Sequence, residues 1–270
     1  MQGRLSPLID GKIQAFPSDN WKNEFQIANS ARFRIIEWTL DDHNFQNNPL
    51  LTSFGQKEIK NLSKKNNLRI PSLTGDCFMQ APFWKAKKKN KEDLTNKFAK
   101  ILYSSKELDI KYIVIPLVDN GSLETASQQS YLLDYLLSWT EYLIENDIHV
   151  IFESDLGPHE LSSFIDDYPL NFGINYDIGN SASLGFNAEE EMLSYGSKIK
   201  NIHIKDRKLN GTTVPLGEGD ADFIKVFYAL KQASYSGNYI LQTARAKNEE
   251  HLEALIQYRT FVISLLKSIQ

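Results

Sequence analysis

The sequence predicts a single-domain (β/α)8 barrel, the TIM-barrel architecture, over residues 1–270. Short runs rich in β-branched and aromatic residues alternate with longer helical patterns from one end of the chain to the other. Such alternation is typical of parallel strands that are joined by helical crossovers. The chain has no linker, low-complexity tract or change in composition, and barrels of about 250 residues fold as one domain.

Eight runs have the composition and length of strands. The first is too short for its periodicity to be read, and Pro71 weakens the third because proline is rare inside strands. The predicted strands are 2–5, 34–40, 68–76, 112–118, 149–154, 172–178, 200–207 and 238–243.

Helical patterns fill most of the intervals between these runs, and Asp19 or Asn20 is suited to cap the first of them. The predicted helices are 19–31, 55–65, 90–108, 128–145, a short one after Pro158, 188–195, 220–233 and 248–266. The aromatic-rich segment 77–89 is predicted as a long loop. It would form a lid over a ligand, cap the barrel or pack against a second subunit.

A doubly wound open sheet is the alternative fold. Such sheets carry the phosphate-binding pattern G-x-G-x-x-G straight after the first strand, and that pattern is missing here. Gly217-Glu-Gly219 does precede a helix, but it comes late in the chain and lacks the third glycine. We interpret it as a flexible or anion-contacting loop.

Composition disfavours several classes of function. The net charge of −4 gives no basic field for nucleic acid or an anionic membrane, and the lysine run 85–89 is expected to be a solvated face. No stretch approaches the roughly 18 apolar residues of a membrane span. The N-terminus lacks the apolar run of a signal peptide, and the lone Cys77 suits a reducing compartment. These features predict a cytoplasmic protein.

Polar residues stand at the carboxyl ends of four successive predicted strands, which is where barrels carry their chemistry. They are Glu153, Asp177, His203 and Gln242, and each shares parity with the residues that face the lumen. Two carboxylates, an imidazole and an amide oxygen form a mixed shell that suits Mn²⁺, Co²⁺, Mg²⁺ or Zn²⁺. The alternative is that each residue is a separately paired buried polar group.

Six short motifs are spread over the whole chain: Met1–Pro7, Ile36–Trp38, Phe152–Ser154, Tyr176–Asn180, His203–Arg207 and Pro215–Gly219. On these motifs the chain resembles the xylose isomerase-like barrels, in the sugar phosphate isomerase/epimerase group. The last three motifs together are fairly specific for that group, and none of the six fixes the substrate.

The resemblance implies a divalent ion that is held by Glu, Asp, His and Glu from the last four strands. It also implies that the two glutamates move a proton, one on each face of a sugar. Glu153, Asp177 and His203 match the first three ligands, and Arg207 matches the arginine that contacts the substrate. Gln242 stands where the second glutamate is expected, so Glu153 and Gln242 occupy the catalytic positions.

Further polar residues at or just beyond the predicted strand ends are candidates for substrate binding. They are Arg4, Glu37, Asn180, Lys205, Arg207 and Arg245. An anionic substrate, either a sugar phosphate or a sugar acid, would pair with the four cations; alternatively these neutralise nearby carboxylates. Glu37 is either an acceptor for a sugar hydroxyl or a salt-bridge partner for Arg4.

The glutamine at position 242 changes the expected chemistry, because an amide can offer an oxygen to a metal but cannot act as a base. Epimerisation needs two proton-transfer groups, whereas isomerisation through a cis-enediol needs one. Gln242 therefore favours a one-base isomerase in which Glu153 is the base. The alternatives are a related dehydratase or lyase, and a barrel that binds a carbohydrate or sugar acid without metal or turnover.

The expected partner is a small sugar or sugar phosphate. The related endonuclease branch uses a histidine-rich zinc cluster, and only His203 of the five histidines lies at a matching strand end. That argues against a role in DNA repair. A homodimer that forms through the helix faces is an open alternative, since barrels often associate in this way. No residue in the sequence indicates such an interface.

Overall fold

The computed structural model describes residues 5–9, 11–12 and 14–269. Its strands are β1 Ile35–Thr39, β2 Arg69–Thr74, β3 Tyr112–Leu117, β4 His149–Ser154, β5 Phe172–Asp177, β6 Ile199–Ile204, β7 Asp206–Arg207, β8 Thr213–Val214 and β9 Asn238–Leu241. Seven of them form one parallel sheet in the order β1-β2-β3-β4-β5-β6-β9. Contacts between β1 and β9 bring its edges together, so the sheet is a nearly closed barrel, as predicted. The first predicted strand, 2–5, lies almost wholly outside the described residues.

Helices follow most of these strands and cover the outside of the barrel. They are α1 Trp21–Ser30, α2 Ser53–Asn66, α3 Asp76–Gln80, α4 Lys88–Glu107, α5 Ala126–Leu137, α6 Thr140–Glu145, α7 Pro158–Asp166, α8 Ile178–Leu184, α9 Ala188–Tyr195, α10 Phe223–Gln232 and α11 His251–Ser268. Short 3₁₀ turns occur at Phe45–Asn47, Pro49–Leu51, Asp119–Gly121 and Gly196–Lys198. The predicted helix 188–195 has the same bounds as α9, and most others differ by two or three residues at an end.

The strands are buried on both faces because helices cover the outside and side chains fill the lumen. In β3, Ile113, Val114 and Ile115 are all fully buried, although successive side chains point to opposite faces. The outward side chains join the helices in one hydrophobic core, and the inward ones line the barrel. A polar residue that shares the inward parity is therefore held inside the barrel.

The predicted helix 128–145 is interrupted, which the sequence pattern did not indicate. The Ser138 hydroxyl donates to the carbonyl of Tyr135 at 2.6 Å, which competes with regular helical hydrogen bonding. Trp139, with φ −101° and ψ 1°, then turns its ring edge-on towards Phe98, at a centroid distance of 6.2 Å. The packing of Trp139 therefore separates α5 from α6.

The prediction that 77–89 is one long loop is wrong, because α3 begins at Asp76 and α4 at Lys88. The aromatic side chains of this segment are buried in the protein. Phe83 packs on Tyr135 at a centroid distance of 4.9 Å, and the Trp84 indole N–H donates to the carbonyl of Gly121 at 3.2 Å. These rings cap the outside of the barrel between helices, which leaves none of them to form a lid.

The predicted strand 200–207 is two strands. β6 ends at Ile204, and β7 then pairs antiparallel with β8 to form a small hairpin above the barrel. Asp206 fixes the following loop, since its carboxylate accepts from the backbone N–H groups of Gly217, Gly219 and Ala221 at 2.8–3.2 Å. A Cβ on Gly219 would lie 1.9 Å from Asp206 Oδ1, so the Gly217–Gly219 motif serves this turn.

Among the described residues, no helix combines the length and apolarity that a membrane span requires.

Candidate active site

A cavity of about 400 Å³ opens at the carboxyl ends of the strands. Its walls include the charged or polar side chains of Gln14, Asp76, Glu153, Asn180, Lys205, Arg207 and Gln242. A larger groove of about 650 Å³ is lined by residues that include Phe16, Trp21, Asn48 and Glu58, and none of the predicted site residues is among the described residues that line it. The chemistry-bearing side chains therefore converge on the barrel mouth.

Glu153 is presented to this cavity near the end of β4, where it faces the lumen. Two amides hold its carboxylate: Asn180 Nδ2 donates to Oε1 at 2.7 Å, and Asn175 Nδ2 donates to Oε2 at 2.9 Å. A third neighbour, His203 Nδ1, lies 2.9 Å from Oε2. These three contacts hold the carboxylate in a fixed orientation.

His203 lies fully buried in β6 between two carboxylates. Its Nε2 is 2.7 Å from Glu37 Oε1, opposite the contact of Nδ1 with Glu153. Burial alone would lower the pKa of His203, but the charge of Glu37 and the hydrogen bonds to Asp177, Glu153 and Glu37 raise that pKa well above its ordinary value. The raised pKa favours the imidazolium form of His203, which compensates the charge of its neighbours.

Asp177, the last residue of β5, combines a structural contact with an electrostatic one. Its Oδ1 caps α8 by accepting from the backbone N–H of Asn180 at 2.8 Å, and its Oδ2 lies 2.7 Å from Lys205 Nζ. Burial opposes ionisation, but Lys205 and His203 hold the pKa of Asp177 well below its ordinary value. A Cβ on Gly179 would meet Lys205 Cγ at 2.7 Å, so the glycine lets the lysine reach Asp177.

The donor set fits a divalent cation. One ligand atom each from Glu153, Asp177 and His203 lies within 4.8 Å of the others, and all three residues are buried. Gln242, also buried, has a side-chain oxygen that accepts no hydrogen bond from the described residues. An orphaned buried carbonyl oxygen is costly unless something coordinates it. His203 Nδ1 is the nitrogen that faces the cluster, while Nε2 contacts Glu37. In metal sites, a carboxylate outside the ligand shell commonly orients a metal-binding histidine in this way.

The remaining predicted contacts divide into those that reach the cavity and those that do not. Asn180, Lys205 and Arg207 line it. Arg207 NH1 donates to Asn180 Oδ1 at 2.8 Å, and its Nε and NH2 donate to the carbonyl of Gly211 at 3.1 and 2.7 Å. No carboxylate within the described ranges forms an ion pair with Arg207, in contrast to Lys205.

Glu37, Arg245 and Arg4 differ from these. Glu37 lies below the cavity, where Ser72 and Thr74 hydroxyls and the amide of Asn201 donate to it beside His203. Its oxygens are therefore occupied by the protein and not free for a sugar hydroxyl. Arg245 is not among the described residues that line the cavity, and its guanidinium donates to the carbonyl of Ser6. Arg4 lies outside the described residues, so its proposed pairing with Glu37 is untested.

Asn175 was not among the predicted site residues, and Asp76, the polar residue that ends the predicted strand 68–76, was given no role in the predicted site. Asn175 bridges the lumen, since it donates to Glu153 and accepts from Asn201 Nδ2 at 2.7 Å. The sequence did contain a clue to Asn175, because it is two residues from Asp177 on β5 and therefore points to the same inward face. Asp76 follows β2 and lines the cavity, and its position just after a strand end was the available clue.

Proteins of known name are similar to this chain over most of its length. The L-ribulose-5-phosphate 3-epimerase UlaE of Escherichia coli is 23% identical over 265 residues, covering 90% of this chain and 88% of UlaE. The structure of IOLI protein with a bound zinc atom aligns with a TM-score of 0.75 at 17% identity, over 93% of this chain and 94% of IOLI. A magnesium complex of a xylose isomerase-like TIM barrel protein from Mycobacterium smegmatis aligns with a TM-score of 0.70 at 13% identity, over 95% and 91% of the two chains.

The family model described as xylose isomerase-like TIM barrel matches residues 25–259, most of the chain and all seven strands of the parallel sheet. With the barrel, the converging side chains and this match, the chain belongs to the xylose isomerase-like TIM barrel family.

Proposed function

We propose that this protein is a sugar or sugar-phosphate isomerase/epimerase that moves a proton through an enediolate, with Glu153 as the base. The observation that carries the proposal is the position of Glu153. Its carboxylate lines the cavity and is at the same time bonded into the buried cluster with His203. A single group can thus reach both a carbon-bound proton and the region where negative charge develops.

The amides around Glu153 prepare it for this role. Asn175 and Asn180 hold the carboxylate in one orientation, so little reorganisation is needed when it accepts a proton from the carbon next to a carbonyl. The electron pair of the broken C–H bond becomes the double bond of the enediolate. Lys205, at the cavity wall, can then face the developing oxyanion.

Glu153, Asp177, His203 and the Gln242 oxygen are the residues that would hold a divalent ion. When bound, the ion supplies polarisation of the substrate carbonyl and stabilises the negative charge of the enediolate oxygens. His203 must lose the proton on Nδ1 to become a ligand, so ion binding is coupled to proton release. Three buried carboxylates surround His203, which favours a cation there.

The contacts of Arg207 favour a substrate that carries an anionic group. Within the described part of the chain, its donors contact only the neutral oxygens of Asn180 and Gly211, whereas the charge of Lys205 is already compensated by Asp177. An unpaired guanidinium in a cavity wall suits a phosphate or carboxylate. UlaE carries the name of an enzyme for L-ribulose 5-phosphate, which agrees with a sugar phosphate.

Gln242 favours a second candidate, a barrel that binds such a sugar without turning it over. A glutamine removes the second base of the two-base pattern and leaves one fewer charge for the metal. The dehydratase alternative begins with the same proton removal by Glu153 and would differ in releasing water. In the lyase alternative, the base would instead take the proton of a hydroxyl, and a C–C bond would break to release a carbonyl fragment.

Deuterium exchange separates these candidates. L-Ribulose 5-phosphate, with L-ribulose and D-allulose for comparison, is incubated with the Mn²⁺-loaded protein in D₂O and followed by NMR. The proposal predicts deuterium on the carbon next to the carbonyl, and a decrease of about a hundredfold or more for Glu153→Gln. Glu141→Gln, an exposed change on α6, serves as the control and is expected to leave the rate unchanged. Binding without any exchange would support the second candidate and contradict the first.

A further inference from the structure

The cavity wall contains an acid that the chemistry described so far does not use. Asp76 is the first residue of α3, two positions beyond the end of β2, and it lines the same cavity as Glu153 and Gln242. β3 lies between β2 and β4, so Asp76 and Glu153 enter the cavity from strands that are not direct neighbours in the sheet.

Asp76 has few contacts that would explain it as a structural residue. The residue is 4% exposed, and the hydrogen bond to its side chain from the described residues comes from Gln14 Nε2, at 2.9 Å from Oδ2. Of the ion pairs within the described ranges, none involves Asp76, and the start of α3 has no side-chain cap. A buried carboxyl with so few partners is costly when ionised.

The surroundings favour the neutral acid. Burial, together with the charges of Asp41 and Glu153, raises the pKa of Asp76 to about 8, against the lowering effects of Gln14 and Lys205. Glu153, by contrast, is held by the two amides and His203 in the manner of a carboxylate. The cavity therefore contains one group arranged to accept a proton and another arranged to donate one, a pairing that is typical of acid–base sites.

We propose that Asp76 is the second proton-transfer group of this site and does what an amide at position 242 cannot do. The inference rests on the proposed function, and it changes the expected reaction from one-base isomerisation to two-base epimerisation.

For a ketose, Glu153 accepts the proton from the carbon next to the carbonyl. The C–H electron pair forms the C=C bond, and the carbonyl π pair moves to oxygen. When the enediolate collapses, the carbonyl re-forms, and the electron pair of the C=C bond takes the proton of the Asp76 carboxyl on the opposite face. The carbon is inverted, and solvent returns a proton to Asp76 and removes the one on Glu153.

Asp76→Asn tests this step, because asparagine is nearly isosteric with the neutral acid but cannot deliver a proton. The Mn²⁺-loaded variant is incubated with L-ribulose 5-phosphate in D₂O, and NMR records two quantities: deuterium at C3 of the starting sugar, and formation of the C3 epimer. We expect the variant to take up deuterium at C3 with retained configuration, because Glu153 still exchanges the proton. Its rate of epimer formation should fall about a hundredfold or more. Asp76→Glu is expected to recover part of it.

Each other outcome is decisive. Epimer formation by Asp76→Asn at the wild-type rate would overturn the role of Asp76 while leaving Glu153 as a base. An equal loss of exchange and epimer formation would show that Asp76 only maintains the cavity, and would also overturn it. If the wild-type protein shows neither exchange nor epimer, the proposed function itself fails. Asp134→Asn, an exposed change on α5, is the matched control and is expected to behave as the wild type.

Discussion

His203 Nε2 lies 2.7 Å from Glu37 Oε1, and both side chains are buried inside the barrel. The two residues come from β6 and β1, 166 positions apart, so the contact exists only because the sheet curls round on itself. Glu37 thereby fixes the ring of His203 so that Nδ1 faces Glu153 and Asp177. The metal-type cluster thus depends on a carboxylate that does not itself line the cavity.

Removing the charge of Glu37 should destabilise the protein. Glu37→Gln leaves the buried imidazolium of His203 with one fewer carboxylate, and breaking such a pair costs about 3 kcal/mol of the free energy of unfolding. Urea denaturation of the metal-free protein measures it. Glu107→Gln, at an exposed pair 3.8 Å from Lys60, is the control, with an expected change within about 0.5 kcal/mol. A loss of unfolding free energy in Glu37→Gln that is no larger than in the control would show that the pair of Glu37 and His203 does not stabilise the fold.

A carboxylate at position 242 should tighten metal binding. In Gln242→Glu the buried oxygen that lacks a partner becomes a charged ligand, and we expect Mn²⁺ affinity to rise about tenfold or more, equivalent to about 1.4 kcal/mol. Isothermal titration calorimetry measures this directly. Without metal, the variant should be less stable than the wild type, because a further buried carboxylate is added to the cluster. An unchanged affinity would exclude Gln242 from the ligand shell.

The stability of the protein should depend on pH through Asp76. Its pKa in the folded protein, about 8, lies above the ordinary value of 3.8, so the folded state binds the proton more tightly than the unfolded state. The contribution of Asp76 is therefore fully present below about pH 4 and is lost as the pH rises towards 8. Asp76→Asn removes this loss, so the melting temperature of the variant should rise relative to that of the wild type between pH 5 and pH 8. A difference that is constant over this range would contradict the raised pKa.

Arg207 should discriminate between charged and neutral sugars. Arg207→Gln removes the guanidinium charge, and a hydrogen bond to a charged group is worth about 1.5–3 kcal/mol, so KM for L-ribulose 5-phosphate should rise about tenfold or more. KM for unphosphorylated L-ribulose should change little. Lys208→Gln, at the exposed neighbouring position, is the control. Equal effects on both sugars would mean that Arg207 acts by holding the loop at Gly211 and not by binding an anion.

The fold and the centre of the site follow from local patterns. Alternation on β5 and β6 places Asp177 and His203 on the inward face, and the rule that barrels act at the carboxyl ends of strands brings them beside Glu153. These three residues cluster in the structure as the sequence suggested they could. Local patterns were sufficient because parity and strand order determine which side chains share the lumen.

Other features depend on contacts that no local pattern contains. The pairing of Glu37 with His203 requires barrel closure, and the direction of Arg245 depends on the segment around Ser6. The aromatic content of 77–84 fits a lid and an external cap equally well, and only the position of α5 distinguishes them. The state of Asp76 likewise depends on its burial and on the charges of Asp41, Glu153 and Lys205, which are distant from it in the sequence.

The cation site is the feature on which most of the chemistry depends, and one titration tests it most directly. Mn²⁺ is titrated into the metal-free protein and followed by electron paramagnetic resonance, with Asp177→Asn as the comparison because asparagine keeps the cap of α8 but removes the charge. We predict one Mn²⁺ bound per chain in the wild type and a loss of at least about tenfold in affinity in the variant. No binding by the wild type, or equal binding by both proteins, would contradict a cation site among Glu153, Asp177 and His203.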